Sequence, residues 1–138
     1  MLEKYYKYRL DYREFLILIK FGNFYECFEK DAFILNELFN YKINRIGSSF
    51  KAGFPVNSLN SIISVLDTNK INYLVVTENE LIKKKYPSNN YLKYKFDMEE
   101  VLYNYLRVEK ISKYLETNIT DDKLGDKLIK IERIVSDK

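Results

Sequence analysis

Between two apolar runs, Phe15 to Phe21 and Phe24 to Phe28, stands the pair Gly22-Asn23. A Gly-Asn pair at this spacing is a hairpin signal, because the tight turns that join two strands need positive φ and these two residues tolerate it. The chain is thereby committed to an antiparallel hairpin near its start, and the density of apolar residues in Phe15–Phe21 calls for burial. Alternation along the second strand puts Phe24 and Glu26 on one face and Tyr25 on the other, where it is expected to pack in the core. A flat ring and a carboxylate sharing a face just after a turn suit one kind of chemistry. The ring can enter a base stack while the acceptor tests the edge of a base. The plainer reading is that Phe24 is a core residue of an amphipathic strand.

The remaining pattern predicts a mixed β-sheet flanked by helices, an α/β fold, with a C-terminal helical hairpin. Residues 2–13 read as a helix. Ala32, Leu35, Leu38 and Phe39 fall at helical spacing within 29–39, and Tyr41–Ile46 reads as a short strand. Gly47-Ser48-Ser49 reads as a flexible loop that ends at the turn Ala52-Gly53-Phe54-Pro55. Asn57 or Ser58 is placed to cap a helix striped by Leu59, Ile62, Ile63 and Leu66. Residues 72–77 predict a strand, and 91–96 predict another after the turn Pro87-Ser88-Asn89-Asn90. Lys83-Lys84-Lys85 reads as a solvated loop rather than a phosphate clamp. Val101, Leu102, Tyr105, Leu106, Ile111 and Leu115 mark one tail helix; Leu124, Leu128, Ile131 and Val135 mark a second, joined through 118–122. Such a hairpin needs a partner for its apolar seam, either its own sheet or a second copy.

Composition removes several function classes. The chain has 138 residues, one cysteine and no histidine. Cys27 has no histidine with which to form a nucleophilic pair, and no set of soft metal ligands exists, so neither a catalytic thiol nor a metal or other cofactor is expected. The four glycines, at 22, 47, 53 and 125, form no phosphate-binding loop. With no internal disulfide possible, and no apolar leader or membrane-spanning run, the expected location is cytoplasmic. Net charge is +3; residues 1–98 carry fifteen Lys/Arg against eleven Asp/Glu, and residues 99–138 carry eight against nine. The basic excess lies in the part that holds the hairpin.

The segment Gly22-Asn23-Phe24-Tyr25-Glu26 resembles the Gly-Asp-Phe-Tyr-Glu motif of the MutS family of DNA mismatch-repair proteins, in which the Phe and Glu probe a mispaired base. Other matches stand in register around it. Glu14 through Lys20 has the acidic, apolar, basic order that precedes the motif; Phe28, Asp31, Ala32 and Leu38 follow it; and Ala52-Gly53-Phe54-Pro55 is similar to the family's later turn, before an apolar helix and the strand Tyr73-Leu74-Val75-Val76. The resemblance covers about residues 2–78 and concerns the N-terminal mismatch-recognition domain alone. Departures are present. The histidine that usually follows the turn is Asn57, the acidic-Gln pair after the later strand is Thr77-Glu78, the glycine before that strand is Lys70, and a common basic position is Ile46 with Arg45 beside it.

The resemblance implies a module, residues 1–98, that recognises mismatched or distorted DNA without ATPase or other enzymatic activity: Phe24 stacks on an unpaired base, Glu26 hydrogen-bonds to it, and Lys20, Arg45 and Lys51 are the candidates for phosphate contact. The extension, residues 99–138, is expected to give a homodimer through Leu102, Leu106, Leu124, Leu128 and Ile131. An alternative is a protein-interaction module that keeps the fold without productive DNA binding, since a lone DNA-binding module buries only about 600–1,000 Å². A small nuclease built on Asp67, Glu78 and Glu80 lacks the accompanying lysine of a convincing metal site.

Overall fold

The computed structural model describes residues 1–137. Helix α1 (Leu2–Asp11) precedes strand β1 (Leu16–Phe21), and Gly22, at φ +60°, turns the chain back into β2 (Phe24–Phe28). The two strands pair antiparallel with Phe21 opposite Phe24, Lys20 opposite Tyr25 and Ile19 opposite Glu26. Helix α2 (Lys30–Phe39) ends on Asn40 in the left-handed conformation, and β3 (Asn44–Ile46) and β4 (Ser49–Pro55) then form a second hairpin. A 3-10 turn, Val56–Ser58, leads into α3 (Leu59–Thr68), followed by β5 (Tyr73–Val76), β6 (Leu81–Lys84), α4 (Tyr91–Thr117) and α5 (Leu124–Ser136).

The sheet order is β3-β4-β2-β1-β5-β6. Only β1 and β5 run parallel, because the chain between them crosses over through α2, the second hairpin and α3. The mixed sheet flanked by helices is therefore the fold, as expected. On one face Ile17, Ile19, Phe28, Leu74 and Val76 form a core cluster with Tyr5 of α1 and Phe15. On the other, Tyr25, Cys27, Phe50, Ala52 and Phe54 are buried, and Phe33 of α2 meets Phe50 edge-on at 5.0 Å between ring centres. Burial pushes the Cys27 thiol well up, which leaves it a small apolar core group.

One carboxylate ties several elements together. Pairing between β1 and β2 begins only at Ile19, so the Ile17 amide lacks a partner from β2, and Asp31 Oδ2 in the first turn of α2 accepts it at 3.1 Å. Asp31 also accepts from the Tyr91 hydroxyl at 2.6 Å and pairs with Arg9. Burial pushes its carboxyl above the usual range, opposed by the Arg9 guanidinium, the Tyr91 hydroxyl and the Ile17 amide. A fully buried acid persists here because each of its partners is itself fixed.

Several expectations are corrected. Residues 91–96 are not a strand but the opening of the 27-residue helix α4, where Asn89 Oδ1 accepts the Tyr91 amide at 3.0 Å in the turn that leads into the helix. Residues 49–55 are neither loop nor turn; they form a seven-residue strand. Leu81–Lys84 forms an edge strand, so Lys83 and Lys84 belong to the sheet. The strand expected over 41–46 is confined to Asn44–Ile46. Ser58 occupies the cap position of α3 without a side-chain hydrogen bond.

The described residues group into two compact units, Met1–Leu102 and a second from Tyr103 onward. Within the second, Leu124 is buried and Lys127 Nζ donates to Tyr114 Oη at 3.1 Å, so the end of α4 and α5 form a helical hairpin. No helix among the described residues is long and apolar enough to cross a membrane.

Candidate functional site

Strand β2 and the register of its neighbours build the site. Phe24, first in β2, is opposite Phe21 on one side and Pro55 on the other; Glu26 is opposite Ile19 and Gly53. Directly opposed residues share a face, so Phe21, Phe24, Glu26, Gly53 and Pro55 stand together. The helix cover that buries Ile17 and Ile19 ends before this corner: Phe24 is 50% exposed and Phe21 59%. Phe21, which the sequence places at the end of a buried strand, is thus an exposed neighbour of Phe24. The period of two continued across the two-residue turn was the signal for it.

Behind these rings lies an open concavity of about 280 Å³ lined by Phe24, Glu26, Asn44, Lys51, Ala52 and Gly53. Gly53 lets the strands approach there. A Cβ at this position would stand 2.9 Å from the Tyr25 carbonyl oxygen and 3.5 Å from Glu26 Cγ, so any side chain would both strain the ladder and fill space beside the carboxylate. Lys51 Nζ lies 3.8 Å from Glu26 Oε1, a long, partly buried contact that leaves both groups able to engage something else. Tyr25 takes the opposite face as expected: it is buried and stacks on Phe54 with ring centres 5.6 Å apart.

Of the five residues assigned by sequence to DNA contact, Phe24, Glu26 and Lys51 come together. Lys20 and Arg45 do not. Lys20 is opposite Tyr25, and Arg45 is opposite Phe50, with its guanidinium 4.5 Å from that ring centre and a hydrogen bond to the Ser48 carbonyl at 3.3 Å. Both pairings put these side chains on the face away from Phe24. Sequence reading missed Asn44, opposite Lys51 on β3 and so on the site's own face. The carboxylates Asp67, Glu78 and Glu80 do not gather: among the described residues no group of three or more acidic, Cys or His side chains is placed to hold a metal ion.

The site is an exposed aromatic pair beside a carboxylate, an amide and an ammonium over a shallow floor. It can stack on a flat group and hydrogen-bond to its edge. Over 66 residues the chain is 32% identical to the DNA mismatch repair protein MutS of Thermotoga petrophila, 30% to that of Thermotoga maritima and 29% to that of Petrotoga mobilis. Each alignment covers 48% of this chain and 8% of the relative, so the chain spans only a small part of the length of these proteins. Residues 1–102 match the family described as MutS domain I, and the chain belongs to that family.

Proposed function

We propose that this chain is a mismatch-recognition module acting in DNA mismatch repair: it reads mispaired or distorted duplex DNA, with Phe24 stacking on an unpaired base from the minor groove and Glu26 hydrogen-bonding to that base. The observation that carries the reading is the half-exposed Phe24 on one face with Glu26, above a floor kept open by Gly53. Unstacking a base step in sound duplex costs about a few kcal/mol, whereas one base on one aromatic ring returns about 1–3 kcal/mol. Insertion is therefore unfavourable in matched DNA and becomes favourable where pairing is already broken. Glu26 adds discrimination rather than affinity, because a carboxylate repels phosphates and accepts hydrogen bonds only from bases that offer a donor. Lys51 is the nearest cation to meet a phosphate.

A second reading, a protein-interaction module that keeps the fold, draws support from the position of Lys20 and Arg45 on the opposite face, which leaves the Phe24 surface poor in cations. Titration of matched and mismatched duplex at two salt concentrations separates the two. The DNA reading expects tighter binding to the mismatch and a shallow salt dependence, equivalent to about two to five neutralised phosphates. Absence of binding at low salt selects the interaction module, and equal affinity for both duplexes removes mismatch recognition and leaves only non-specific contact.

A further inference from the structure

A second cavity, of about 250 Å³, lies where α1 and the first turns of α2 and α4 meet, and it shares no lining residue with the Phe24 site. Its walls include the rings of Tyr5, Phe33 and Phe50, and three cations border it: Arg9, Lys30 and Lys95. Arg9 is committed. Its guanidinium donates to the Tyr12 and Phe15 carbonyls and to the Tyr5 hydroxyl and pairs with Asp31, so it lends charge but no spare donor.

Lys30 and Lys95 differ, since among the described residues no hydrogen bond or ion pair engages either ammonium, and the one contact of Lys95 Nζ is with the Tyr91 ring, 5.8 Å from its centre. Burial lowers the Lys95 pKa, the Arg9 and Lys30 charges lower it further, and Asp31 opposes them. An ammonium crowded by like charge gains from an anion. The one acid on the rim, Glu29, is engaged by the Tyr6 hydroxyl, and against Asp31 and Glu29 the three cations still leave a positive excess.

We propose that this cavity binds a small anion carrying a flat ring, of the class of a nucleoside monophosphate or an aromatic carboxylate, with Lys30 and Lys95 meeting the anionic group and the aromatic walls meeting the ring. The volume falls just below the usual range of about 300–1,000 Å³ for ligand sites, which selects a compact ring with one charged group over a dinucleotide. Charge-assisted contacts supply orientation, and the apolar walls supply burial.

The test uses the full chain, titrated with 2′-deoxyadenosine 5′-monophosphate and with benzoate, and with 2′-deoxyadenosine and inorganic phosphate as controls lacking the charge or the ring. At least one of the first two should bind saturably with a Kd below about 1 mM, and both controls at least roughly tenfold more weakly. Which of the two binds identifies the source of the anion. Lys95→Met should weaken that binding by roughly tenfold, with Lys30→Met read in its place should the first variant not fold, while Phe24→Ala should leave it unchanged. Saturable binding by neither anion, equal binding of a control, full affinity in the lysine variant, or loss in Phe24→Ala overturns the proposal. Mismatch binding is measured separately, so either reading can fail without the other.

Discussion

Phe24 and Tyr25 are adjacent in sequence and opposite in fate, one half in solvent and the other in the core, and this follows from the period of two in β2. An exposed ring can be deleted with little structural cost. Phe24→Ala should therefore abolish preference for a mismatched duplex while changing unfolding free energy by no more than about 1 kcal/mol, as read by urea denaturation beside the duplex titration. A loss of several kcal/mol would mark Phe24 as part of the core and remove the wedge. The facing of Phe24, Glu26 and Tyr25 was legible in the sequence because it needs only local alternation. The facing of Lys20, one step back from Phe21 across the turn, follows from that alternation too, whereas the face of Arg45 depends on the register of a separate strand, where a one-residue difference reverses it. Asn44 escaped notice for the same reason.

At the scale of elements, the same division holds between local and cross-chain information. The first hairpin, α2, α3 and β5 stand where periodicity and turn residues put them. The segment Tyr91-Leu92-Lys93-Tyr94-Lys95-Phe96 alternates like a strand, yet the Asn89 turn and the apolar positions further along carry it into α4. Strand β4 was hidden because Gly53, a turn signal in isolation, here serves close approach of two strands. Gly53→Ala should accordingly cost about 1–3 kcal/mol of stability and weaken discrimination with it; an unchanged denaturation midpoint would show that the ladder relaxes freely. Asp31→Ala tests the tie between α1, β1, α2 and α4. It strands the Arg9 charge and the Ile17 amide in the interior, and the expected loss is about 3–5 kcal/mol. A loss under about 1 kcal/mol in urea denaturation would mean that solvent replaces the carboxylate.

At the scale of the molecule, if the Phe24 face reads DNA as proposed, association of two copies would lengthen contact, since linking two modest sites raises avidity by about 10²–10⁴. The tail has the composition for it, with eight basic against nine acidic residues over 99–138 and so little net charge to oppose pairing. Of the residues expected to form the seam, Leu124 is buried within the hairpin and Leu128 and Ile131 are half-buried there, whereas Leu106 is exposed. Val108, Ile111, Ile134 and Val135 are exposed as well, each by more than half. Exposed apolar residues in such number favour cover by another surface. A homodimer using these exposed positions is therefore the expected state, with light scattering giving a mass near twice 16.6 kDa at high protein concentration. The double substitution of Leu106→Lys with Ile134→Lys should return the monomer and lower apparent affinity for mismatched duplex, because each added ammonium would be desolvated in the seam. If the unaltered chain already scatters as a monomer at high concentration, the tail does not self-associate.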